Sequence, residues 1–207
     1  HSKRMSRTDR QGGREFEGMR FGRYEVIRRI AVGGMAEIFL AKDIAVEGVS
    51  RHVVLKCILP DVSSDPSFLN LFYDEARIVA RLSHQAIAHV YDFGEADGRY
   101  FIAMEYIDGV HVSELMRALF PDQMPVEHAV KIISVVAEAL YHAHKLTDRD
   151  GTPLGIVHRD ISPENIMVAH DGQVKLVDFG VARAADQTHK TQAGVLRGKV
   201  AYLSPEQ

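Results

Sequence analysis

The sequence predicts an α+β fold, a β-rich first part followed by an α-rich second part. Two features carry that reading. Between Tyr24 and Glu105, five short runs rich in Val, Ile, Phe and Leu are separated by turn signals, with one helical pattern among them. Beyond Gly109 the apolar residues recur at spacings of three and four, the mark of amphipathic helices.

Residues 1 to 20 carry Lys3, Arg4, Arg7, Arg10, Arg14 and Arg20 with almost no apolar periodicity, so they read as a flexible basic leader. Tyr24 to Ile30 and Ala36 to Lys42 flank Gly33-Gly34 and, with Val53 to Ile58, form a meander. Asp65-Pro66 opens a helix whose apolar stripe includes Phe68, Leu71, Phe72, Ile78, Val79 and Leu82. Val90 to Glu95 and Tyr100 to Glu105 are joined across Asp97-Gly98, a strong hairpin signal. In the second part, Val112 to Leu119 is a short helix, and Val126, Ala129, Val130, Ile133, Val136, Ala137 and Leu140 mark a long one. Two short strands around Asp171-Gly172 precede Asp178-Phe179-Gly180.

Composition narrows the function. With 25 Lys and Arg against 28 Asp and Glu, the formal net charge of −3 gives no reason to expect nucleic acid as a partner. The single cysteine, Cys57, cannot close an internal bridge, which fits a reducing, cytoplasmic setting. The longest apolar run, Ile132 to Ala143, is broken by Glu138 and falls short of a membrane span. The 11 histidines show no zinc-like spacing.

Polar residues inside apolar runs point to chemistry. Lys56 interrupts the strand Val53 to Ile58; taken alone, it reads as an edge-strand lysine facing water. Glu75 lies on the apolar face formed by Leu71, Phe72, Ile78 and Val79, where a carboxylate needs a cation, and a Lys56 to Glu75 pair satisfies both. In His158-Arg159-Asp160-Ile161-Ser162-Pro163-Glu164-Asn165, Asp160 and Asn165 stand five residues apart in a loop followed by an apolar strand. That arrangement suits a general base and a metal-binding oxygen on a rigid support. Asp178, thirteen residues on, adds a second carboxylate beside Gly180.

Taken in order, these residues resemble the eukaryotic-like (Hanks-type) serine/threonine protein kinases of bacteria, from about Tyr24 to Gln207. The resemblance implies a two-lobed protein-kinase-like fold: an N-lobe at 21–107 with a five-stranded antiparallel sheet and one major helix, and a partial, mainly helical C-lobe at 108–207. It implies that Lys56 contacts the α- and β-phosphates of ATP and is held by Glu75. Asp160 would orient and deprotonate the substrate hydroxyl, and Asn165 and Asp178 would hold magnesium, with manganese as an alternative ion. Ile30, Ala31, Val32, Gly33 and Gly34 would cover the phosphates. The backbone of Glu105 and Ile107 would bond adenine, with Met104 as gatekeeper and Ile38, Val54 and Met167 around the ring. Val79, Val90, His158 and Phe179 fall at the family's spine positions. Protein substrates are the implied partners, with a kinase homodimer for trans-autophosphorylation.

The chain departs from the family pattern in two places. The phosphate-covering loop, normally G-x-G-x-x-G-x-V, has Ala31, Gly33, Ala36 and Ile38 at the aligned positions, which predicts a stiffer loop. Ser162 stands where serine/threonine kinases carry Lys, and Lys199 follows Gly198 where they carry Thr. On that exchange, Lys199 would supply the positive charge near the γ-phosphate, with Ser162 as its partner. The segment after Asp178 would be an activation segment, with Thr191, or else Thr188, phosphorylated and received by Arg159.

Two other readings compete. A pseudokinase that binds ATP for signalling fits the poor glycine loop but not the retained Lys56, Glu75, Asp160, Asn165 and Asp178. A small-molecule phosphotransferase fits poorly with Ser204-Pro205-Glu206, which closes an activation segment. The missing initiator Met and the stop at Gln207 lead to the expectation of a truncated kinase domain, poorly stable or inactive as an isolated piece.

Overall fold

The structure is a computed structural model that describes residues 16–34, 36–46, 49–63, 69, 72, 73, 76, 77, 79–179 and 202. Two compact units divide the chain: residues up to Asn70 with Val90–Tyr106, and Leu71–His89 with the residues from Ile107 on. The sequence placed a single boundary after residue 107. Leu71–His89 instead groups with the second unit, because Ala88 N donates to Leu176 O at 2.9 Å and Leu176 N to Ala86 O at 2.8 Å. A two-residue backbone contact of this kind leaves no periodic trace in the sequence.

The first unit is a six-stranded antiparallel sheet. Its strands are β1 (Arg20–Phe21), β2 (Tyr24–Val32), β3 (Ala36–Val46), β4 (Val49–Ile58), β5 (Val90–Ala96) and β6 (Arg99–Glu105), in the order β1-β2-β3-β4-β6-β5. The sixth strand, β1, pairs Arg20 with Glu25 and Phe21 with Tyr24. The ordered sheet thus begins inside the stretch that composition assigned to the leader. Phe16 and Met19 pack against the same core, and the Phe16 and Phe39 rings lie 5.3 Å apart. A short helix, α1 (Pro60–Ser63), comes after β4. Residues 69, 72, 73, 76, 77 and 79 are helical, as the apolar spacing predicts, whereas Asp65, Pro66 and Glu75 lie outside the described residues.

Register explains which residues the sheet buries. Strand side chains alternate between faces, so Phe39, Leu55, Cys57 and Phe101 share one face and are at most 6% exposed. Removing such side chains from water contributes roughly 1.5–3 kcal/mol each. The Asp97-Gly98 turn has φ of 53° and 71° at its central residues, which is what a type I′ hairpin requires.

The second unit contains β7 (Gly109–His111), α2 (Val112–Leu119), α3 (Val126–Lys145), β8 (Ile166–Ala169) and β9 (Val174–Leu176), with a sheet in the order β7-β8-β9. Strand β7 lies where the sequence pattern gave only the approach to a helix. Gly109 lets it pair so closely, because a Cβ there would sit 2.6 Å from Ala169 Cα. Helix α3 spans the predicted segment but buries Ile132, Val136, Ala139 and Ala143. Of the predicted stripe, Val136 is buried while Val126, Val130 and Ile133 are 59–74% exposed. The helix is apolar around most of its circumference, so spacing alone does not choose the buried face. Among the described residues, no helix is long and apolar enough to cross a membrane.

Candidate active site

In the first unit, Lys56 occupies an inner strand. It pairs with Ile38 on β3 and Ile102 on β6, with two strands to one side of that trio and β5 to the other, so the edge-strand reading does not hold. Two residues earlier on the same face, Val54 pairs with Leu40 and with Met104. Ile38, Val54, Lys56 and Met104 thus line one face of the sheet, all half-buried, opposite the face that holds Cys57. Burial pushes the Cys57 thiol up to about 12. Glu105 pairs with Val53 at the end of β6.

The turn between β2 and β3 is closed by Gly33 N donating to Ala36 O at 2.8 Å. Neither Gly33 nor Gly34 has positive φ, and neither do Ala31 and Ala36. The alanines at family glycine positions therefore carry no backbone strain. Ile30 and Val32 flank the turn at 43% and 58% exposure.

The second unit holds the loop from His158 to Asn165 together with the segment from Val177 to Phe179, and the two are cross-braced. Val177 N donates to Asn165 O at 2.9 Å, and His158 Nε2 meets Val177 O at 3.0 Å. Asp160 N donates to His158 Nδ1 at 3.3 Å. With Nδ1 accepting, the proton sits on Nε2, which donates to Val177. Burial lowers the His158 pKa, in agreement with a neutral ring. That ring packs 4.6 Å from Phe179, and both side chains are buried.

The same brace positions the polar residues. Asn165 Nδ2 donates to Asp160 O at 2.7 Å, and Asn165 N to Ser162 O at 2.9 Å, so the loop is tied across its mouth. With its amide nitrogen spent on Asp160, Asn165 keeps its side-chain oxygen as the free end of the amide. Asp178 comes directly after the braced Val177. Arg159 and Asp178 both adopt left-handed backbone, with φ of 64° and 58°. Such strain in non-glycine residues persists only where the surrounding structure enforces it, and it clusters at functional sites. Ser162 is 3% exposed, and its Oγ has no hydrogen-bond partner among the described residues. Met167 lies on β8 between His111 and Lys175, and Ile107 is buried.

Lys199, Thr188, Thr191 and Ser204-Pro205-Glu206 lie outside the described residues, as does Glu75. Among the described residues no three His, Cys, Asp or Glu side chains cluster to hold a metal. Magnesium does not require such a cage. It is commonly bound by one or two carboxylates together with phosphates and water, and the oxygen chemistry of Asn165 and Asp178 fits it.

Sequence reasoning missed the ionic clusters of the first sheet. Glu37 on β3 is paired with Arg29 at 3.0 Å and Arg99 at 2.6 Å, and Asp43 is paired with Arg23 at 3.4 Å and Arg51 at 3.2 Å. Glu37 carried the signal that singled out Lys56, a charge inside an apolar strand.

The protein kinase domain model matches residues 24–207, and the chain belongs to that family. It is 41% identical over 189 residues to the tyrosine-protein kinase MasK of Myxococcus xanthus, covering 90% of this chain and 29% of that protein. It is 39% identical over 186 residues to the serine/threonine-protein kinase PrkC of Bacillus subtilis, covering 90% of this chain and 27% of that protein. The chain thus spans under a third of the length of these two relatives. Among solved structures, the PknI kinase domain of Mycobacterium tuberculosis superposes with a TM-score of 0.67 at 34% identity, covering 80% of this chain and 62% of that one. The fold is the protein kinase fold.

Proposed function

We propose that this chain is the catalytic domain of a serine/threonine protein kinase that transfers the γ-phosphate of ATP to protein hydroxyls, including its own. One observation carries the reading: the loop bearing Asp160 and Asn165 is tied by His158 and Val177 to the strained residue Asp178.

In the proposed reaction, the Asp160 carboxylate accepts the proton of the substrate hydroxyl as its oxygen bonds to the γ-phosphorus. The bond from that phosphorus to the bridging oxygen breaks, and ADP leaves. Lys56, held by Glu75, neutralises the α- and β-phosphates. Asn165 and Asp178 would hold magnesium, with manganese as the alternative ion, and the bound ion would supply positive charge against the phosphates. The turn from Ile30 to Gly34 covers the phosphates. Ile38, Val54 and Met167 pack on adenine, whose edge bonds to the backbone of Glu105 and Ile107 beside Met104. Lys199 supplies the charge that the family places at the Ser162 position, with the Ser162 hydroxyl, which has no hydrogen-bond partner among the described residues, as its partner. Thr191, or Thr188, receives phosphate from a second copy of the kinase, and Arg159 binds it. The single buried cysteine supports a cytoplasmic location for the domain.

A second reading assigns tyrosine hydroxyls as acceptors, because MasK is named as a tyrosine kinase. Incubating the intact protein with γ-labelled ATP, magnesium and a generic protein substrate, then hydrolysing in acid, distinguishes the readings. Labelled phosphoserine or phosphothreonine supports the first and phosphotyrosine the second. Nucleotide binding without incorporation supports a pseudokinase. Retention of full turnover by Lys199→Ala would remove the role given to Lys199.

A further inference from the structure

The turn between β2 and β3 has no left-handed glycine to fix its course, and its flanking Ile30 and Val32 are exposed. Its position must therefore come from the strands behind it. The pairing of β2 with β3 shifts register between Arg29 and Ala31, immediately before the turn. An irregularity of this kind bends the strand and re-aims the residues beyond it. Arg29 stands at the last regular pair before the shift.

The Arg29 guanidinium donates to Glu37 Oε1 at 3.0 Å and lies over the Phe16 ring, 4.9 Å from its centre. The other carboxylate oxygen of Glu37 accepts from Arg99 Nη2 at 2.6 Å. The side chains of Glu37, Arg99 and Arg29 are 10%, 15% and 28% exposed, so this network is shielded from water and solvent screens it weakly. Glu37 pairs with Val32 at the end of the turn and with Cys57, the neighbour of Lys56, while the next residue, Ile38, pairs with Lys56 itself. A single carboxylate therefore ties together β2, β3 and β6, on the face opposite Lys56.

We propose that Glu37, gripped by Arg29 and Arg99, is a positioning residue that sets the turn from Ile30 to Gly34 over the phosphates of ATP. This rests on the kinase reading, since that reading assigns the turn to phosphate. The network lies on the face of the sheet opposite Lys56. It acts through the register of β2 and β3.

The test is Arg29→Gln in the intact protein, which frees β2 and leaves the Glu37–Arg99 pair in place. Affinities for magnesium–ATP and for adenosine are measured by titration. ATP binding weakens about three- to tenfold, the size expected for one hydrogen-bonded contact, while adenosine binding and the rate at saturating ATP stay within about twofold. Glu37→Gln weakens ATP in the same selective way, and more strongly. Unchanged ATP affinity in Arg29→Gln, or equal weakening for ATP and adenosine, would overturn the inference while leaving the kinase reading intact. Wild-type protein that binds no ATP would overturn the kinase reading, and this inference with it.

Discussion

His158 shows how much one side chain organises. Its two ring nitrogens hold Asp160 N on one side and Val177 O on the other, an arrangement that only the neutral ring with its proton on Nε2 can make. Burial lowers its pKa from the ordinary value of 6.5. The unfolded chain therefore takes up this proton at higher pH than the folded chain does, so the stability it supports is present above about pH 6.5 and falls as pH drops below it. Replacing the ring by His158→Phe removes two hydrogen bonds and costs on the order of 1–3 kcal/mol at neutral pH. In denaturant titrations, the gap between wild type and variant narrows as pH falls through the histidine range; a gap that widens there refutes the neutral brace. Cys57 gives a second test at this scale. Its thiol is pushed up to about 12 and is fully buried, so a charged disulfide reagent labels it only after unfolding. The sequence pointed to Asp160 and Asn165 by their spacing in a loop before an apolar strand, to Asp178 as a second carboxylate beside Gly180, and to His158 through the family resemblance alone. It could not show Val177 as the shared brace, because that residue acts through its backbone.

At the scale of elements, the hairpins separate two uses of glycine. Gly98 sits at φ 71°, so Gly98→Ala forces a left-handed alanine at a cost of roughly 1–2 kcal/mol. Gly34 has ordinary φ and open space where a Cβ would go, so Gly34→Ala is neutral or stabilises by about 0.4–1 kcal/mol through the unfolded chain. Thermal unfolding of the two variants gives shifts of opposite sign or clearly different size; equal losses would contradict the turn geometry. The strands from Tyr24 to Glu105 were legible because alternation and turn residues agree. Three features were not. β1 is two residues long, β7 depends on the close approach at Gly109, and α3 offers two apolar stripes of which only packing selects one.

At the scale of the whole molecule, the order of motifs along the chain carried the assignment, and the match over residues 24–207 bears it out. Long-range ionic pairing stayed hidden. Glu37 meets Arg99 across 62 residues of sequence, and no local pattern announces such a partner. In the proposed function, Asp160 is the base of a phosphoryl transfer whose geometry is set by the brace to Asp178. The most direct test compares phosphate incorporation from γ-labelled ATP by the intact protein and by Asp160→Asn, with ATP binding measured in parallel. Binding persists in Asp160→Asn while transfer falls about 10²- to 10⁴-fold; transfer by the variant at the wild-type rate would refute the role of Asp160 as base.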